Sequence, residues 1–150
     1  MISLFQILRE SPGSLAPSSR FTVFNGVLYL CAGAVFLVWP GVVQTFLLGP
    51  PFEGREASLT RVLGMAVAII GWFYIFGGRS GARQVVAASV LDRVVLVPLV
   101  LGPLALSGVF PAVLGAFAVL DPVLGLIAWY LLAQEGREAN ANESQATAEP

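Results

Sequence analysis

Ala87–Pro103 reads AASVLDRVVLVPLVLGP, an apolar run that carries Asp92 and Arg93 side by side. With its flanks it is long enough to cross a bilayer, and charges near the middle of such a segment are costly. An isolated charge at a helix centre costs about 2.5–3.5 kcal/mol on the insertion scale, whereas each Leu or Val returns only about 0.3–0.6 kcal/mol. The next apolar stretch, AVLDPVLGLIAW, holds a third such charge, Asp121. The two stretches are joined by a short uncharged turn, so they are antiparallel neighbours. Each charge lies about a dozen residues from that turn, which predicts similar depth. The expectation is an intramembrane ion pair between Arg93 and Asp121. Asp92 points about 100° away from Arg93 on an ideal helix and needs a partner of its own; Asn25, Tyr29 and Tyr74 are the candidates.

The rest of the chain supports a membrane setting. Of its 150 residues, 57% are hydrophobic and 11% charged, against roughly 25% charged in soluble domains. A net charge of −1 leaves no electrostatic footprint for nucleic acid. All eight basic residues are Arg, with no Lys and no His. Imidazole chemistry and lysine Schiff bases are thereby excluded. The one cysteine, Cys31, excludes a disulfide within the chain and a thiolate metal cluster. No metal site, cofactor or catalytic residue is expected.

Four spans are predicted, at about 21–39, 59–78, 84–106 and 110–134. The predicted fold is an all-α, integral membrane four-helix bundle. Residues 1–20 hold an amphipathic segment, read as a short interfacial helix, and a linker, SPGSLAPSSR. Residues 135–150 are polar and acidic and read as a disordered tail. In the second span Gly64, Ala68 and Gly71 form a small-residue stripe that lets another helix approach closely. Pro98 and Pro103 leave carbonyls of the third span without their usual partners. Asp121-Pro122 has the form of a helix N-cap and first helical residue, which predicts a break or kink in the fourth span. Arg9, Arg20, Arg79, Arg83 and Arg137 fall on one side, and Arg55 and Arg61 on the other. The positive-inside rule then puts both termini in the cytoplasm of a multi-pass protein of the cell (inner) membrane.

Arg61-Val62-Leu63-Gly64, Gly71-Trp72-Phe73-Tyr74, Leu91-Asp92-Arg93 and Asp121-Pro122 together resemble a pattern in small four-span bacterial membrane proteins of uncharacterised function, over about residues 20–132. In general layout the chain is also similar to DoxX-like four-helix proteins. Neither resemblance implies a reaction or a set of catalytic residues.

Two functions are compatible with these readings. One is a non-enzymatic accessory or scaffolding component, packing on partners through small-residue stripes within a homo-oligomer or larger membrane complex. The other is a binder or carrier of a small molecule, lipid or ion, using Asp92, Arg93 and Asp121. Membrane lipid is the one partner both require.

Overall fold

The computed structural model describes residues 8, 10, 12–47, 49 and 51–148. Five helices account for most of them: α1 (Pro17–Val38), the short α2 (Val42–Leu47), α3 (Glu56–Arg79), α4 (Arg83–Leu106) and α5 (Pro111–Ala148). No strand occurs among the described residues. α1, α3, α4 and α5 are each long and apolar enough to cross a membrane, which fits a multi-pass membrane protein. Large apolar side chains point outward, among them Phe73 at 67% exposed and Leu99 at 67%. Such a surface suits lipid and would be an aggregation hazard in water. The amphipathic part of the N-terminal segment, expected as an interfacial helix, lies almost entirely outside the described residues.

Helix ends follow local chemistry. Pro17 sits in the first turn of α1, where a missing N–H costs nothing. Ala16 supplies no side-chain cap; the cap comes from far along the chain. Ser18 donates its backbone N–H to Glu135 Oε1 (2.6 Å) and its hydroxyl to Glu135 Oε2 (2.9 Å). A carboxylate at a helix N-terminus also meets the positive end of the helix dipole. At the start of α3, Glu56 accepts the N–H of Glu53 (2.8 Å), and Arg79 occupies the last turn. Gly81 (φ 69°) and Gly108 (φ 88°) make the left-handed turns before α4 and α5.

α1 and α3 are locked together by glycine. Gly26 faces Gly71 and Gly33 faces Gly64, so backbone packs on backbone. A Cβ on Gly26 would stand 2.7 Å from the Gly71 carbonyl oxygen, and one on Gly33 2.5 Å from that of Gly64. The small-residue stripe of the second span is therefore spent inside the chain, with Ala68 lying against Gly33. α5 packs on α4 along its length and on α1. α3 meets α4 mainly within residues 83–91, next to their turn. Beyond that, α3 and α4 part.

Two expectations about α4 and α5 meet different outcomes. α4 is indeed irregular: Asp92–Leu96 is a π-helical turn, in which the Val97 N–H donates to the Asp92 carbonyl. The ring of Pro98 crowds the carbonyl four residues earlier, that of Val94. The wider turn lies where that crowding falls. α5, by contrast, is one helix through Pro122, so the Asp121-Pro122 break does not form. It also continues through the segment read as a disordered tail. EGREANANESQATA is rich in good helix formers and holds no proline, so nothing stops the helix before Ala148. At 1.5 Å per residue α5 is about 57 Å long, well beyond the ~30 Å hydrocarbon core.

Candidate functional site

The polar residues singled out by sequence are buried or half-buried in the bundle. Asn25 and Tyr29 lie one turn apart on the buried face of α1, at 0% and 6% exposed, and Tyr74 is buried on α3. Arg93 on α4 is 1% exposed and Asp121 on α5 is 4% exposed. Asp92 is half-buried. Gly64, Ala68 and Gly71 lie elsewhere, in the α1–α3 contact.

Arg93 and Asp121 form no ion pair, and no salt bridge joins any of the described residues. Helix geometry gives the reason. A Cβ on Gly125 would stand 3.1 Å from Arg93 Cβ, so the residue of α5 level with Arg93 is Gly125. Asp121 lies one turn further toward the 107–110 turn, about 6 Å away along the axis. Side chains also lean toward the N-terminus of their own helix. In an antiparallel pair this carries Arg93 and Asp121 away from each other. Counting a dozen residues on either side of the turn missed an offset of one helical turn.

Arg93 is instead held by aromatic faces. Its Cζ lies 4.2 Å from the centroid of the Tyr74 ring and 5.2 Å from that of Tyr29. The two rings meet edge to face with centroids 5.8 Å apart. A desolvated cation–π contact contributes about 2 kcal/mol or more, against an effective burial cost of several kcal/mol for the ion. Tyr74 also serves Asp92: its hydroxyl donates to Asp92 Oδ2 (3.1 Å). One tyrosine thus carries the guanidinium on its ring and the carboxylate on its hydroxyl.

Several buried polar atoms around this unit have no protein partner. They are Nε and Nη2 of Arg93, both side-chain amide atoms of Asn25, the Tyr29 hydroxyl and Asp121 Oδ1. An unsatisfied buried group costs about 1–3 kcal/mol. Native structures pair most such groups with protein or with ordered water.

Where α3 and α4 part, a cavity of about 330 Å³ lies between all four long helices. Tyr29 lines it from α1, Val67 and Ile70 from α3, Leu96 and Val97 from α4, and Phe117 from α5. Asp92 and Asp121 line it too. Along both α4 and α5 the carboxylate is the lining residue farthest from the 107–110 turn. The cavity therefore has an apolar body and an acidic end. Its size falls at the lower edge of small-molecule pockets, which are likewise apolar with a few convergent polar groups.

Sequence reasoning missed three features here. The Ser18–Glu135 clamp joins residues 117 positions apart, and its only signal was a Ser at a helix start. The π turn had a signal in Pro98. The apolar body of the cavity had none, because it arises from how far two helices diverge. No family model, curated protein or solved structure matches the chain.

Proposed function

We propose that the chain is a non-enzymatic, multi-pass protein of the cell (inner) membrane that holds a small apolar or amphipathic molecule between its helices. The observation that carries this reading is the cavity between α3 and α4, with two carboxylates at its end. Asp121 brings a buried oxygen there that no protein group satisfies. The divergence of α3 from α4 makes the lipid phase the natural side of entry. The Arg distribution supports cytoplasmic termini.

The accessory-subunit reading has lost its main support. Gly64, Ala68 and Gly71, the stripe offered to partners, pack on α1. What remains for it is the outward apolar surface, which lipid covers equally well.

Native mass spectrometry of the full chain, extracted in mild detergent from its own membrane, tests the proposal. The expected result is a retained small mass that is lost in Val97→Trp, where the indole fills the cavity. A stoichiometric protein partner without any small mass would overturn it in favour of the accessory subunit.

A further inference from the structure

The cavity has a charge as well as a shape. Asp92 and Asp121 line it, whereas Arg93 is turned onto the rings of Tyr29 and Tyr74 and does not. Two carboxylates and one guanidinium within about two helical turns of one another carry, when all are ionised, a net charge of −1. In a low-dielectric setting such a charge calls for a positive partner. Asp92 already accepts the Tyr74 hydroxyl. Asp121 is 4% exposed, its Oδ1 has no protein partner, and it lies at the acidic end of the apolar cavity.

We infer that the occupant of this cavity is a monocationic amphiphile: an organic ammonium whose charged head meets Asp121 and Asp92 and whose apolar body lies along Ile70, Leu96 and Phe117. This inference rests on the cavity reading above and adds the charge of the ligand to it. Tyr29 belongs to the same recognition. Tyr29 lines the cavity, and an aromatic side chain beside two carboxylates is the chemistry that receives an alkylated ammonium. An anion would meet two like charges, and a neutral alkane would leave Asp121 as it is.

The test uses the full chain purified in mild detergent, dialysed to equilibrium against protein-free micelles. The probes are hexyltrimethylammonium and its uncharged carbon isostere, 2,2-dimethyloctane. The expected result is saturable retention of the cation, with the isostere bound about tenfold more weakly or worse, as for loss of a charge-assisted contact. Asp121→Asn should weaken cation binding by a similar factor and leave the isostere unchanged. Asp92→Asn is read alongside it, so that a folding defect in either variant, seen as a lowered melting temperature, does not decide the matter. Equal binding of cation and isostere, both lost in Val97→Trp, would overturn the inferred charge while sustaining the apolar cavity. Retention of neither probe would overturn both.

Discussion

Gly33→Ala is the sharpest perturbation the fold allows. The added methyl would sit 2.5 Å from the carbonyl oxygen of Gly64, where ordinary contact begins at 3.4 Å. The opposing atom is backbone, so no side chain can swing aside. α1 and α3 would have to separate by about 1 Å, and a gap of that size forfeits a quarter to a half of each dispersion contact across it. Overpacking of this kind costs about 1–3 kcal/mol. Ala in place of Gly in a helix returns up to about 1 kcal/mol. The net loss expected is about 1–2 kcal/mol. Gly102→Ala is the control: nothing lies within 4 Å of its added methyl, so only the helix-propensity gain applies. Gly33→Ala combined with Gly64→Ala should cost less than the sum of the two, by about 0.5 kcal/mol or more, because one separation accommodates both methyls. Reversible unfolding by SDS in mixed micelles, followed by circular dichroism, measures all four variants. The reasoning is refuted if Gly33→Ala is no less stable than Gly102→Ala.

Three other expectations can be checked with the same preparation. Tyr74→Phe keeps the ring under Arg93 and loses the hydroxyl on Asp92, so Tyr74→Leu should be less stable than Tyr74→Phe by about 1–2 kcal/mol; equal stabilities would remove the stacked guanidinium from the account. Glu135→Ala takes both acceptors from Ser18 and should cost about 1–2 kcal/mol, with Ser18→Ala costing less and the double variant little more than Glu135→Ala; strictly additive losses would mean the two residues act apart. A topology reporter fused after Pro150 should register cytoplasm and one inserted in the 51–55 segment the opposite side; reversed signals would overturn the Arg-based orientation.

The four long helices were legible because each holds a long apolar run. Pro40-Gly41 and Gly77–Arg83 fall where helices stop. The charges Asp92, Arg93 and Asp121 were legible too, as charged residues inside apolar runs. Their pairing was not. It depends on a register set by the 107–110 turn and by the π turn at Asp92–Leu96, and an offset of one helical turn reassigns every partner. Gly125 was the overlooked clue: it is the small residue of α5 that admits the bulk of Arg93 and Val94. The tail was misjudged because polar composition was weighed above helix propensity. EGREANANESQATA is a poor core but an acceptable continuation of a helix already nucleated upstream.

The glycine contacts also determine how the molecule can move. α1 and α3 touch through main chain, in a seam where a displacement of even half an ångström is resisted at several points at once. They form, in effect, a single plank. α4 and α5 make a second one, joined through side chains and interrupted by a wider turn. On the α1–α5 side the planks are joined by the Ser18–Glu135 clamp and by Phe117 against Tyr29 and Phe36, whereas α3 and α4, beyond residues 83–91, meet mainly where Tyr74 holds Asp92 and Arg93. Any opening of the bundle is therefore directed to the α3–α4 side, at the end away from the Gly77–Arg83 turn.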